Sequence, residues 1–476
     1  MIGRERESKV LRQALQSNQA ELVAVVGRRR VGKTFLVETV LEEVLDLEVT
    51  GVPNGTTRPQ IQNFQELVGE LGEVRLDRAR DWNTAFLQLR RILKSLPEVD
   101  RKRVLFFDEL PWLASPRSGF LEAFSFFWNN YAVKNKLLVV ICGSAASWMI
   151  RKVIDHKGGL YNRVTRRIDL EPFNLYETER YLLQEKQMRL KRRQIVQLYL
   201  VMGGIPHYLN QLDPAKSAAQ NIDDLCFARG GFLRREFDRL YPALFEQAEK
   251  HVAVVRALSS KWRGLTRTEL SHVSGVPSGG TLTRILQGLE FSGFIRRYYS
   301  LMRKKKQQLY RLTDEYSSFY LKFIDGKRPQ EAGGWITLLN MGAYHAWTGY
   351  AFEGVCLKHD HQIKQALQIA GMYVETSTFQ FVGNDEVPGT QIDMLLDRAD
   401  DCVNICEVKF SKEKYVVTKE YADKLATKKM VLDYVLRGRK QLFLTLISAT
   451  GLSKNAHSQD VIDQVVELDA LFESII

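Results

Sequence analysis

Two groups of residues in this chain have types and spacings that can do chemistry on phosphate esters. The first is "VAVVGRRRVGKTFLVE", which fits G-x-x-x-x-G-K-[ST] at Gly27, Gly32, Lys33 and Thr34. Glycines let a backbone wrap a phosphate, and the N–H groups of the loop and of the following helix supply positive potential. Lys33 would then reach the β- and γ-phosphates, and Thr34 would ligate Mg²⁺. The second group lies in "TQIDMLLDRADDCVNICEVKF", where Asp393, Glu407 and Lys409 would face one another across a hairpin. Opposed carboxylates repel, and a divalent cation between them turns that repulsion into binding. Mg²⁺ or Mn²⁺ held there could activate water against a phosphodiester, with Lys409 steadying the developing charge.

Each group needs elements to position it. "ELVAVVG" precedes the loop, and "RVLFFDEL" and "KLLVVICGS" follow later. All are apolar throughout, as strands buried on both faces of a parallel sheet should be. Asp108 ends the second of these strands, where its carboxylate can hold the magnesium shell. Glu109, next to it, can orient or deprotonate the attacking water. The third strand brings Ser144 to the same sheet edge, either toward the γ-phosphate and the water or as a cap on the next helix. Arg28, Arg29 and Arg30 read as solvent-facing, or as the rim of an oligomer or partner surface. A homo-oligomer through this domain is therefore among the expected assemblies.

For the second group, an antiparallel turn near Asp400 places position 393 opposite 407 and position 391 opposite 409. One face then carries Gln391, Asp393, Glu407 and Lys409. The other carries Ile392, Met394, Cys406 and Val408 and forms the apolar side.

Between the two groups the pattern is helical from about 176 to 245. It then gives three short helices, whose core would be Leu270, Val273, Val276, Leu282, Ile285 and Leu289. A hairpin follows over 293–312 with Arg296, Arg297, Arg303, Lys304, Lys305, Lys306 and Arg311 and no acid. A winged helix with a basic wing suits contact with a phosphate backbone, so DNA is the expected partner. "GKRPQEAGG" (326–334) is the most linker-like stretch. The expected division is 1–175 for an ATPase domain, 176–245 for a helical lid, 246–328 for a winged helix and 335–476 for a last α/β domain.

The totals agree. A chain of 476 residues exceeds one core, and its 45% hydrophobic and 26% charged residues are ordinary for a water-soluble protein. A net charge of +12 suits a polyanionic partner. Five scattered cysteines without C-x-x-C spacing argue against structural zinc. The charged start has no signal-peptide core and the longest apolar run is broken. No membrane association is expected, and a reducing cytoplasm is the expected compartment.

"IGRERE", the phosphate loop, "FFDELPWL", "CGSAASWM", "GGLYNRVTRRIDLEPFNLYE" and "VMGGIPHYL" follow one another as in the archaeal-type, STAND-like P-loop ATPases, which this chain resembles. That resemblance implies a fusion to a winged helix and a nuclease-like tail, and a role in host defence or mobile-element biology. It also implies that Pro206 packs near the base or ribose and that Arg163 is a lid or trans-acting arginine. Read from the residues alone, Pro206 ends a helix and Arg163 is one arginine of a basic loop. The family more often has glycine where Asn162 stands.

The tail resembles the PD-(D/E)XK nucleases, with isoleucine before Asp393 where the name-giving motif has proline. The resemblance implies a further metal ligand from a preceding helix, and Glu353 in "WTGYAFEGVCLKH" matches that place. The expectation is thus an α/β multidomain protein that binds and hydrolyses ATP with Mg²⁺, binds DNA and cuts it with Mg²⁺ or Mn²⁺. The alternative is a non-cutting ATP-dependent switch that binds DNA or a protein, its tail inactive.

Overall fold

The computed structural model describes residues 1–154, 160, 162–299, 301, 308–327, 334–339 and 341–475. The chain divides into two compact units. One is Met1–Pro172 with Leu244–Glu246 and Phe291–Gly293; the other is Phe173–Ala243 with Gln247–Glu290 and Phe294–Ile476.

The first unit is built on five strands: β1 (Glu21–Val26), β2 (Leu45–Thr50), β3 (Val104–Asp108), β4 (Leu138–Gly143) and β5 (Arg166–Asp169). All pair in parallel, in the order β2-β3-β4-β1-β5. Every residue of β1, β3 and β4 is buried, which is what their unbroken apolar composition requires. The order matters for function, because β4 lies between β1 and β3. The C-terminal ends of these three strands therefore bring Gly27, Ser144 and Asp108 alongside one another. An aromatic cluster fixes β3 from behind: Phe107 packs on Phe124 at 5.3 Å, and Trp82 meets Phe120 edge-on at 4.8 Å. Such pairs each add about 0.5–1.5 kcal/mol beyond their burial.

The second unit starts with helices, among them Leu175–Gln184 and Arg192–Met202. Helix Ala248–Ser260 then leads through β6 (Leu265–Thr266) to helices Arg267–Ser274 and Gly280–Phe291. β7 (Ile295–Tyr298) and β8 (Leu309–Leu312) complete an antiparallel sheet in the order β6-β8-β7. Leu270, Val276, Leu282, Ile285 and Leu289 are buried as expected. Val273 is not; it is 48% exposed. Its helix is short and ends at Gly275 with φ +70°, and the chain returns to the core only at Val276.

The basic hairpin, expected to contact a phosphate backbone, is described only in part. Arg303, Lys304, Lys305 and Lys306 lie outside the described residues, as do 328–333 of the linker stretch. Arg311 is buried, its guanidinium 5.0 Å from the Trp262 ring and 5.5 Å from that of Tyr298. Arg297 is paired with Glu290 at 2.6 Å. Interior packing and a neighbouring helix thus take up charges that the isolated stretch leaves unpaired.

A second five-stranded sheet closes the chain. Its strands are β9 (Val374–Phe381), β10 (Thr390–Arg398), β11 (Cys402–Lys409), β13 (Gln441–Ser448) and β15 (Gln464–Glu467), in the order β15-β13-β11-β10-β9. β12 (Tyr415–Val416) and β14 (Leu452–Ser453) form a small ribbon beside it. β9, β10 and β11 are antiparallel, whereas β11, β13 and β15 run parallel. Helix Lys419–Leu436 covers one face through Leu425, Val431, Leu432 and Leu436, which pack on Leu395, Val403 and Ile405.

Candidate functional sites

The first site is assembled where β1 turns into helix Lys33–Leu41. Gly32 caps that helix at φ +89°, a backbone region that glycine enters without strain. Gly27 is needed for a different reason: a Cβ there would lie 2.4 Å from the Leu170 carbonyl oxygen. Arg4, buried, ties the loop down by donating to the carbonyls of Val31 (3.1 Å) and Glu171 (2.9 Å). Lys33 is buried, and its ammonium donates to the carbonyls of Gly27 and Arg28 and to Ser144 Oγ, at 3.0–3.2 Å. Burial pulls this ammonium below its usual range, while Glu109 and Asp108 act against that. Its acceptors here are neutral, so a phosphate oxygen is a stronger partner than any of them.

Thr34 Oγ1 donates to Asp108 Oδ2 at 2.8 Å. The other carboxylate oxygen of Asp108 accepts from the Glu109 N–H at 2.9 Å and from the Cys142 thiol. That thiol is pushed up by burial and by Asp108, so it stays protonated and remains a donor. A hydroxyl and a carboxylate in contact form a hard-oxygen pair, the kind of donor set Mg²⁺ takes beside a nucleotide. The residues present fit that ion.

Glu109 stands at φ 47°, a strained conformation for a residue with a side chain. From there its carboxylate accepts from the Ser144 N–H at 2.9 Å and from the Ser144 hydroxyl. Ser144 therefore does not cap the next helix, whose N-cap is Ala145; it links Glu109 to Lys33. Gly27, Gly32, Lys33, Thr34, Asp108, Glu109 and Ser144 thus meet at one sheet edge.

Asn162 adopts φ 56°, a left-handed turn that asparagine tolerates and where glycine would be at ease. Arg163, after it, is exposed in the first unit. Pro206 opens the short helix Pro206–Leu209 in the second unit. Sequence reasoning missed Arg4 and Cys142. Arg4 stood in a stretch already singled out, but nothing local marked its reach to residue 171.

The second site forms where β10 and β11 end. Their ladder keeps the expected register, Leu395 opposite Ile405 and Met394 opposite Cys406, and its pairing ends there. Against β9, β10 shifts register between Ile392 and Leu395. A bulge re-aims side chains, and Ile392 consequently packs in one cluster with Leu395, Val403 and Ile405. The strict alternation expected across Gln391–Met394 is therefore broken at Asp393. Asp393 Oδ1 accepts from Gln391 Nε2 at 2.6 Å.

Glu407 is buried, and both its oxygens are engaged. Lys409 Nζ donates to Oε1 and Lys428 Nζ to Oε2, each at 2.8 Å, and the Tyr421 hydroxyl also donates to Oε1. Burial alone would raise this carboxyl, but Lys428 and Lys409 outweigh it and hold it down at about 2. Lys409 Nζ also lies 4.6 Å from the centre of the Tyr421 ring. Glu353, on helix Gly342–Lys358, is the reverse case. It is buried, with no hydrogen-bond partner for Oε2 among the described residues. Burial pushes its carboxyl well above the usual range, and Asp393 adds to this.

Among the described residues no three acidic, histidine or cysteine side chains are gathered closely enough to hold a metal ion. The expected trio of Glu353, Asp393 and Glu407 is therefore not gathered as a metal-holding group, and Glu407 is instead bonded to Lys409, Lys428 and Tyr421. Tyr421 and Lys428 were missed in the sequence. With Leu425 and Leu432 they recur at i, i+4, i+7 and i+11 along one helix face, a spacing that could have revealed them.

The hairpin meets this sheet directly. Leu301 donates its N–H to the Thr378 carbonyl at 3.0 Å, and Thr378 returns one to Tyr299 at 3.3 Å. The chain leaving β7 thus covers the open edge of β9.

The described cysteines are all free thiols, and no described helix is long and apolar enough to cross a membrane.

Residues 1–212 match the family profile of an ATPase domain predominantly from Archaea. An uncharacterized protein of Methanocaldococcus jannaschii, MJECL04, is 25% identical over 363 residues, covering 74% of this chain and 76% of that protein. Among solved structures, a Walker-type ATPase of Pyrococcus abyssi aligns over 67% of this chain and 96% of its own, at 19% identity and a TM-score of 0.48. The Aeropyrum pernix ORC2 protein aligns over 67% of this chain and 92% of its own, at 13% identity and a TM-score of 0.41.

Proposed function

We propose that this chain is an ATP-hydrolysing switch whose second unit binds DNA. The observation that carries the proposal is the network at the ends of β1, β3 and β4, where Lys33, Ser144 and Glu109 are linked and Thr34 is bonded to Asp108. In this reading Lys33 holds the β- and γ-phosphates and Thr34 with Asp108 holds the magnesium. Glu109 takes a proton from the attacking water, and Ser144 keeps Glu109 in place. Magnesium, when bound, neutralises charge developing on the phosphates. Phosphate release from ATP by the full chain, and its loss in Lys33→Ala, is the test. Equal release by both proteins would refute the assignment.

DNA binding is supported by the +12 net charge and by the lysines and arginines of 303–306 in the sequence.

A second reading adds metal-dependent DNA cleavage, favoured by the unpartnered, buried Oε2 of Glu353. Glu353 and Asp393 would hold the cation, and Lys409 would face the phosphate once it leaves Glu407. The full occupation of Glu407 by Lys409, Lys428 and Tyr421 favours the non-cutting switch instead. Plasmid incubated with Mg²⁺ or Mn²⁺, with and without ATP, separates the two. Nicking by the wild type that disappears in both Asp393→Ala and Lys409→Ala supports cleavage. An intact plasmid with wild type, or nicking that survives both substitutions, removes it.

A further inference from the structure

The second unit contains a cavity of about 370 Å³ that the ATP site does not involve. Its walls come from helices Arg192–Met202, Gly334–Leu338 and Gly342–Lys358 and from the chain just after β11. The size falls within the range of about 300–1,000 Å³ typical of small-molecule sites.

The lining is cationic on one side. Arg193 and Lys412 contribute permanent charges and His345 a third donor, and no acid is among the described residues that line it. Arg193 is held flat, its guanidinium 5.1 Å from the centre of the Phe410 ring, while Phe352 packs on the same ring at 4.9 Å. Its buried Nε has no acceptor among the described residues. The adjacent Arg192, by contrast, binds Glu179 at 2.9 Å and Asp469 at 3.1 Å. A buried guanidinium N–H without an acceptor is costly, and an anion in the cavity would supply one. The other side is apolar and planar, formed by Tyr344 with Ile336 and Leu339. Tyr344 packs edge-on against Trp335 at 5.2 Å, so its ring is held in place.

We infer that this cavity binds one nucleotide monophosphate unit, with its phosphate on Arg193 and Lys412 and its base against Tyr344. Cations without a carboxylate suit a single phosphate rather than a magnesium-bound triphosphate, which the first unit's site is built to take. The unit can come from a free nucleoside monophosphate or from one nucleotide of a DNA strand. Neither source requires the ATP site or the cleavage reading to be correct.

The test uses the full chain carrying Lys33→Ala, which silences the first site. AMP is titrated by calorimetry and a short 5′-phosphorylated oligothymidine by fluorescence anisotropy. AMP bound at one site per chain assigns the free nucleotide; binding of the oligothymidine alone assigns the strand. In either case Arg193→Gln weakens binding by about 10–100-fold, the value of a charge-assisted contact. Lys412→Gln, at an exposed position, weakens it in the same direction without touching the fold. Arg193→Lys, which keeps the charge and loses the flat fork, restores only part of it. Absence of binding by both probes, or binding indifferent to Arg193→Gln and Lys412→Gln, overturns the inference.

Discussion

Replacing Glu109 by Gln is expected to slow ATP turnover by about 10²–10⁴-fold, the usual contribution of a positioned general base, while nucleotide binding survives. The carboxylate sits one residue beyond β3, and its backbone at φ 47° is held in place by the packing around it. Ser144 donates to it twice, from N–H and from hydroxyl. Glutamine has the same shape and keeps an acceptor for the Ser144 N–H, so the loop and Lys33 should stay where they are. Only the basicity is lost. Turnover and binding must therefore separate, with single-turnover phosphate release collapsing while the nucleotide titration is preserved. If turnover is unchanged, the base lies elsewhere and Glu109 is only a strained helix cap.

The second large effect is on stability. Gly204→Ala would place a Cβ 1.8 Å from the Phe173 carbonyl oxygen. Neither partner can step aside easily. The Phe173 N–H donates to the Gly204 carbonyl at 2.7 Å, and the Tyr199 hydroxyl donates to the Phe173 carbonyl at 3.0 Å. Overpacking commonly costs about 1–3 kcal/mol, and a clash against pinned backbone belongs at or above the top of that range. Gly349→Ala is the control within the same unit. It lies inside helix Gly342–Lys358 with nothing within 4 Å of the added methyl, so it should gain about 0.4–1 kcal/mol. Urea midpoints of the two variants should move in opposite directions. A Gly204→Ala midpoint at or above that of wild type would show that the Phe173–Gly204 contact yields.

What could be read from the sequence, and what could not, follows from how local each feature is. The phosphate loop was legible because strand, glycines, lysine and helix are consecutive, and so was the burial of β1, β3 and β4. The Leu395–Ile405 register was legible too, because a wrong register buries charge. Strand order was not, since nothing in residues 136–144 states that β4 inserts between β1 and β3. Ser144 consequently admitted two readings in the sequence, and the structure gives it a bond to Glu109 instead of a cap.

The bulge at Ile392–Leu395 escaped because β9 imposes it from outside the hairpin. Arg311 read as one of several wing charges suited to a phosphate backbone. It is buried because Trp262 and Tyr298, distant in sequence or on the neighbouring strand, offer their ring faces. Glu407 was recognised by type and spacing, but its partners Lys428 and Tyr421 belong to helix Lys419–Leu436, beyond the motif. That separation hid how fully the carboxylate is already engaged.

The most direct measurement is equilibrium titration of Mg·ATP onto wild-type protein and Lys33→Ala. The wild type should bind one nucleotide saturably at the cradle formed by Gly27–Thr34, and Lys33→Ala should bind none there, because the buried ammonium is the charge that the phosphates replace Gly27 and Arg28 carbonyls to reach. Identical isotherms for the two proteins would contradict the account at its base.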